Sequence, residues 1–290
     1  MLMLGIIGGS GLYKMDGIKG VKEVEVNTPF GKPSDRLFVG KFDEKEVVFL
    51  PRHGVGHRIS PSQINYRANI FAMKELGVDR IISVTACGSL REELRPLDFV
   101  VVDQYVDRTN HARDMTFFED GIVAHISFSH PVCPELSNLL YNTGDEAGKR
   151  LGIKMHKGGT YINMEGPAFS TLAESNLYRG WGMDVIGMTN MPEAKLAREA
   201  EICYATLACV TDYDCWHSGH ESVTIDMVAE NLLKNIENAK KVLRLVIKNI
   251  PEERNCKCKD ALKNAIITDQ KLISEKVKKD LAIIIGKYIK

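Results

Sequence analysis

The sequence predicts an α/β protein with a mostly parallel sheet covered on both faces. Seven short apolar runs rich in β-branched residues recur along the chain, from "LGIIGG" near the start to "CYATLACVTD" at residues 203–212. Their hydrophobicity is continuous and not alternating, the pattern of strands buried on both faces. Segments with helical spacing separate several of these runs, and strands alternating with helices fold as α/β units. The 290 residues are 44% hydrophobic and 26% charged, enough for one large core and unlike a disordered chain.

The opening "MLMLGIIGG" lacks a basic leader and runs straight into glycines, so it reads as a buried first strand and not as a signal peptide. "EVVFLP" is the next strand. "SQINYRANIFAMKEL" follows with apolar residues at Ile64, Ala68, Phe71 and Leu76, the spacing of a helix. "RIISVTACGS" and "FVVVDQYV" read as one strand each. "PELSNLLYNTGDEAGKRLG" and "PEAKLAREA" are helices opening on Pro134 and Pro192, a residue suited to a helix's first turn. "GGTYINMEG" and "MDVIGMT" lie between them as strands, and "CYATLACVTD" is the last. After residue 222 a long amphipathic helix places Val228, Leu232, Ile236, Ala239 and Leu243 on one stripe. "PEERNCKCKD" breaks it, and the Lys-rich remainder reads as a small helical appendage. The expected organisation is therefore a main body over 1–250 and a helical extension over 251–290 packed on the same domain.

Lys plus Arg equals Asp plus Glu at 38 each, so no net field draws the chain to nucleic acid or an anionic membrane, and a small-molecule partner is expected. No apolar stretch approaches the roughly 20 residues of a membrane helix, and the cytoplasm is the expected compartment. Seven cysteines are many for a reducing compartment. Neither a paired CxxC zinc spacing nor a secreted framework is present, and no metal is expected. Cys256-Lys257-Cys258 reads either as two surface thiols in a linker or as a redox or disulfide element, with Cys203 as an alternative partner.

In such a sheet ligands bind at the carboxyl ends of strands. At the first, "GGSGL" offers backbone amides and the Ser10 hydroxyl to an anion. Its spacing is not GxGxxG, and no acid closes a second strand to take a ribose hydroxyl, so a dinucleotide is not the expected guest. "PRHG" sets Arg52 beside His53, a guanidinium to grip an oxyanion and an imidazole to donate to it. An arginine in such a site is read as an addition to the core, dispensable to the fold. "VTACGS" contributes Thr85 and Ala86. Hydroxyl, amide and guanidinium donors without metal ligands suit orthophosphate or a phosphate ester.

The remaining ends differ in kind. "MEGPAFST" brings Glu165, Phe169 and Ser170 to one loop, "GMTNMPE" brings Met188 and Thr189, and "VTDYDCW" brings Asp212 and Asp214. An aromatic face with carboxylates suits a planar heterocycle carrying N–H groups. An oxyanion site next to a purine site implies attack of phosphate on the anomeric carbon of a nucleoside as the base leaves. Two neighbouring buried carboxylates hold raised pKa values, which makes Asp212 the proton donor to the departing purine N7 and couples its titration to Asp214.

Taken together, "GIIGGSGL", "NTPFGKPSD", "RHGVGH", "NYRANIFAMKELG", "TACGSLREE", "DQYVDRT", "MEGPAFST", "MTNMPEAKLAREAEICYA" and "TDYDCW" resemble, in unbroken order from residue 4 to about 250, the purine nucleoside phosphorylase/methylthioadenosine phosphorylase family. The resemblance implies a three-layer α/β/α fold around a distorted, mostly parallel mixed sheet, assembled as a homotrimer or a dimer of trimers. It also implies phosphorolysis of 5′-methylthioadenosine to adenine and 5-methylthioribose 1-phosphate with no cofactor, orthophosphate being a co-substrate. The family's phosphate ligands fall on Ser10, Arg52, His53, Thr85, Ala86 and Thr189, its nucleoside contacts on Met188, Phe169, Asp212 and Asp214, and its specificity positions on Ser170 and Ile225. His125 matches a residue that reaches the neighbouring subunit's site. Ala168 departs from the family, which often has arginine there. The tail with Cys256 and Cys258 resembles archaeal, heat-stable members with disulfides. Carboxylates facing the purine C6 edge favour adenine, while preference for a 6-oxopurine, as in inosine or methylthioinosine, or a broad purine range stays open from sequence.

Overall fold

The computed structural model describes residues 3–9, 11–110, 113–217 and 225–289, with no side chain described at 13 and 225–227. Among them one sheet of eleven strands is formed by β1 (Met3–Gly8), β2 (Ile18–Val24), β3 (Leu37–Phe42), β4 (Lys45–Pro51), β5 (Arg80–Ser89), β6 (Phe99–Val102), β7 (Gln104–Arg108), β8 (Met155–Lys157), β9 (Thr160–Met164), β10 (Val185–Gly187) and β11 (Cys203–Asp212). The path runs β2-β3-β4-β1-β5-β10-β9-β7, and β11, β6 and β8 branch from β5. Six of the pairings are parallel and four antiparallel, so the sheet is mixed and mostly parallel, as expected. Its distortion centres on β5. That strand pairs β1 through its first residues, β11 along nearly its whole length, and β10 through Gly88 and Ser89.

Helices cover both faces. Side chains alternate across a strand, so Ile6 and Ile7 enter different cores. On Ile7's side lie α1 (Tyr66–Glu75) and α4 (Asn190–Glu199), through Phe71, Met73, Ala194 and Leu196; on Ile6's side lie α2 (Pro134–Leu151) and α5 (Ile225–Asn249), through Leu136, Leu140, Leu243 and Val246. In α4 the backbone of Met191 is extended (φ −114°, ψ 127°), so helical geometry begins at Pro192, as its fixed φ suits. The expected stripe on α5 is present, with Ala239 and Leu243 fully buried and Ile236 partly so.

Three differences from the sequence reading have physical causes. "FVVVDQYV" is two strands: Asp103 exchanges bonds with Gly159 (N–H to the Gly159 carbonyl, 3.1 Å; Gly159 N–H to Oδ1, 3.2 Å), and the chain passes from β11 and β8 to β9. The edge strand β2 was missed because its charged, exposed residues give no apolar run, the usual guard against edge pairing. α3 (Leu172–Gly180) is short and mostly exposed, yet it opens on a reciprocal capping box in which Thr171 accepts from the Glu174 N–H and Glu174 accepts from the Thr171 N–H.

Beyond residue 250 the tail forms short helices, among them α6 (Glu275–Asp280) and α7 (Ala282–Ile285). Leu262, Ile273, Val277, Leu281 and Ile285 join the core cluster that contains Phe71 of α1. No helix among the described residues is long and apolar enough to cross a membrane.

Candidate active site

Strands β5 and β11 run parallel in register from Arg80 opposite Cys203 to Cys87 opposite Val210. The register then slips, and Asp212 comes to lie opposite Gly88. A bulge of this kind re-aims a side chain at a strand end. Helix α5 braces it: Asn235 Nδ2 donates to the Val210 carbonyl and Asn231 Nδ2 to the Thr211 carbonyl, both at 2.8 Å. Gly88 is required here by proximity. A Cβ on it would stand 3.1 Å from Asp212 Oδ1 and 3.3 Å from Asp214 Cβ.

The Asp212 carboxyl is 9% exposed. Oδ2 accepts from the Thr211 hydroxyl at 2.6 Å and Oδ1 from the Asp214 N–H at 2.7 Å. Burial raises its pKa and the Asp214 charge adds to the rise, against the pull of those two hydrogen bonds. Asp214, in the left-handed region at φ 52°, is also raised, by burial first and then by the charge of Glu174. Among the described residues no cation lowers either group. Two acids of raised pKa thus stand together at the end of β11.

Oxyanion donors collect three residues earlier on β5. Thr85 Oγ1 lies 3.4 Å from Thr189 Oγ1, both side chains buried, while Ala86 is exposed within an otherwise buried strand. Arg52 is different from its expectation. It is 2% exposed and bound to Glu193, Nε to Oε2 at 2.7 Å and Nη2 to Oε1 at 2.9 Å. Nη1 donates to the Val84 carbonyl (3.0 Å), and Nη2 to the Ser83 hydroxyl (2.6 Å) and the Ile7 carbonyl (3.2 Å). The residue belongs to the core, so the reading that the fold can spare it is corrected. Of its five N–H groups, one on Nη1 is left over by these bonds for an anion.

His53 also differs. Its Nδ1 lies 2.9 Å from the Ile59 carbonyl, which can only accept, so Nδ1 carries the hydrogen. Burial, then the Arg52 charge, pushes its pKa down to about 4. The neutral ring thus presents Nε2 as an acceptor, suited to a P–OH hydrogen, and not as the expected donor.

The aromatic loop sits beside the acids. The Cys215 thiol donates to the Ser170 carbonyl at 3.5 Å, tying the loop to the turn at Asp214, and Phe169 stands 63% exposed. Met188 packs on the same loop: a Cβ at Gly166 would come within 2.5 Å of its sulfur. Glu165 is not available to a base, since Arg113 Nε (3.0 Å) and the Asn110 N–H (3.1 Å) occupy its oxygens. Arg113 further donates to the Met188 and Met191 carbonyls, each at 2.7 Å, and so locks this loop to the start of α4.

Ser10 lies outside the described residues, as does the side chain of Ile225, the first residue of α5. His125 is exposed on a segment whose backbone bonds to the tail, its N–H to the Ala265 carbonyl at 2.9 Å. Sequence reasoning missed Glu193, Arg113 and the bracing Asn231 and Asn235. Glu193 is 141 residues from Arg52 and sits in a segment that reads as ordinary helix, so no local signal marks it. For the asparagines the signal was a pair of amides one helical turn apart on the buried side of α5.

The model of the phosphorylase superfamily matches residues 3–248. The chain belongs to that superfamily. It is 55% identical over 287 residues to an S-methyl-5′-thioadenosine phosphorylase of Geobacter sulfurreducens, covering 99% of each chain, and 56% identical over 285 residues to one of Koribacter versatilis, covering 98% and 96%. Among solved structures, a methylthioadenosine phosphorylase from an Antarctic soil metagenomic library superposes with a TM-score of 0.92 at 48% identity, covering 97% of this chain and 98% of that one. A Schistosoma mansoni methylthioadenosine phosphorylase in complex with adenine gives 0.81 at 35% identity, covering 98% of both. The layered fold of this phosphorylase-superfamily chain is thus shared with enzymes, one of them solved with a purine bound.

Proposed function

We propose that the chain phosphorolyses 5′-methylthioadenosine to adenine and 5-methylthioribose 1-phosphate, the activity for which its relatives are named, with orthophosphate as co-substrate and no cofactor. The observation that supports this best is the spacing on β5. Thr85 and Gly88 are three residues apart, about 10 Å along a strand, and Asp212 lies opposite Gly88, so the Thr85–Thr189 hydroxyls and the buried Asp212 carboxyl belong to the same end of the sheet.

Breaking the glycosidic bond puts positive charge on the ribosyl carbon and negative charge on the base. Thr85, Thr189, the Ala86 region and the one remaining Nη1 hydrogen of Arg52 hold phosphate beneath that carbon, with His53 Nε2 accepting its proton. Phe169 covers the purine face and Met188 the sugar. Asp212, whose pKa burial raises, gives a proton to N7, and Thr211 with the Asp214 N–H steadies the carboxylate that forms. Ser10 adds a phosphate donor, and Ser170 and Ile225 select at the 5′ group. Exposed Leu172, Leu177 and Trp181 on α3, next to Phe169, support assembly as a homotrimer or a dimer of trimers in which His125 completes a neighbour's site. The cytoplasm is the compartment proposed for this purine-salvage step.

Incubation with methylthioadenosine, adenosine, methylthioinosine and inosine, with and without phosphate, tests the reading by base release. Phosphate-dependent adenine release, fastest from methylthioadenosine, is expected. Release that ignores phosphate points to a nucleosidase, and a preference for the 6-oxo compounds to the alternative phosphorylase.

A further inference from the structure

At the end of β11 away from Asp212, four cysteines from three separated segments converge. Cys133 precedes α2, Cys203 opens β11, and Cys256 and Cys258 lie in the tail. All four side chains are buried, and each sulfur lies within 4.8 Å of the other three. All seven cysteines of the chain are free thiols, and the expected disulfide between Cys256 and Cys258 is not formed. Cys203 Sγ lies 3.2 Å from Cys256 Sγ, against about 2.05 Å in a disulfide.

Two disulfides would draw sulfurs together in pairs. Four sulfurs each close to the other three describe instead the corners of a tetrahedron. With zinc–sulfur bonds near 2.3 Å, those corners stand roughly 3.8 Å apart. We propose that Cys133, Cys203, Cys256 and Cys258 bind one soft divalent cation, Zn²⁺, as a structural tetrathiolate site that fastens the tail to the body. No substrate position is open on such an ion, and the site is about 30 Å from Asp212 by the nine residues of strand between.

The surroundings fit an anionic centre. On binding, the thiol protons leave to solvent and four thiolates with one divalent ion carry a double negative charge. Arg254 Nη1 lies 3.8 Å from Cys203 Sγ, held there by the Asp79 and Glu201 carbonyls, and Arg80 stands opposite Cys203 in the sheet. A cavity of about 100 Å³ lined by Arg80, Cys133, Leu136, Cys203 and Ile250 reaches the cluster and gives an ion a way in. Spacing could not reveal this set, because only Cys256 and Cys258 are near each other in sequence.

The test is the metal content of full-length protein purified under reducing conditions without chelator, before and after addition of Zn²⁺. One equivalent per chain is expected, four thiols protected from alkylation until the metal is stripped, and, for Co²⁺-loaded protein, the visible bands of a tetrahedral thiolate complex. Cys256→Ser with Cys258→Ser should lose the metal and unfold at lower temperature, with base release at moderate temperature unchanged. If that variant does not fold, Zn²⁺ titration of stripped wild-type protein decides. Reduced wild-type protein that takes up no Zn²⁺ overturns the proposal, and so does an intact mass lower by the hydrogens of two disulfides with no bound metal in freshly isolated protein.

Discussion

Two buried ionic sites of this molecule are built in opposite ways. Arg52 and Glu193, 2% and 0% exposed, neutralise each other through two bonds, and the guanidinium is filled out by backbone and hydroxyl acceptors. Asp212 is buried beside the half-buried Asp214 with no cation against them among the described residues, and each is left with a raised pKa. A charge paired in this way holds a structure together, since all but one of the guanidinium N–H groups already have partners. An unpaired acid that keeps its proton is in tension with its site, and it can give that proton away. Burial alone therefore does not separate framework from chemistry; satisfaction does.

Removing Arg52 should cause the largest effect. Arg52→Ala leaves Glu193 charged and alone in the core, a loss on the order of 3–5 kcal/mol for a broken buried pair. The variant is expected to melt far below wild type, seen by calorimetry, or not to fold. A variant that melts normally but no longer saturates with phosphate would break the contrast, because Arg52 would then serve the anion and not the frame.

Asp212→Asn tests the other side. Its turnover should drop by the 10²–10⁴-fold typical of a lost general acid, with melting temperature unchanged or raised, because the amide needs no cation. The ratio of kcat/KM should also move toward the 6-oxo nucleoside, since an amide donates to a carbonyl at C6 and cannot protonate N7. Unchanged rate and ratio would mean that the purine is read elsewhere. Asp214→Asn should follow in weaker form: its charge only adds to a pKa that burial has already raised, while its backbone N–H stays in place on Asp212 Oδ1.

Much of this was legible in the chain. Continuous apolar runs located most strands buried on both faces, though not β3, whose Leu37 and Phe38 enter opposite cores, and the residues at their ends put Thr85, Thr189 and Asp212 forward as candidates because parallel sheets put strand ends at the ligand. What could not be read were the partners. Arg52 looked free because Glu193 arrives from α4, and Glu165 looked available because Arg113 arrives from a loop. His53 was given the wrong hydrogen, since its tautomer is set by the Ile59 carbonyl six residues on. Sequence displays which groups are chemical, and the fold decides which of them are already spent.

The smallest effect sharpens the comparison with a third acid. Glu199, 4% exposed, accepts from the Phe117 N–H at 2.8 Å and the Thr116 hydroxyl at 2.7 Å, yet forms no ion pair among the described residues. Burial pushes its pKa up to about 7 from 4.5, the hydrogen bonds and Lys195 opposing. A folded-state pKa above the unfolded one gives stability that is complete below about 4.5 and is lost as pH rises through about 7. Glu199→Gln removes that loss, because its oxygen can accept from Phe117 and its amide donate to Thr116. The variant should therefore gain on wild type as pH rises from about 4.5 to about 7, with a limiting slope of about 1.4 kcal/mol per pH unit for the one proton, the gain levelling off above 7, and turnover should not change. Melting temperatures of both proteins from pH 5 to about 8.5 measure it. Parallel curves would mean that Glu199 is ionised throughout, and that hydrogen bonds without a cation suffice to hold a buried carboxylate charged. Asp212, which has two such bonds, would then have to be ionised too and could not be the proton donor.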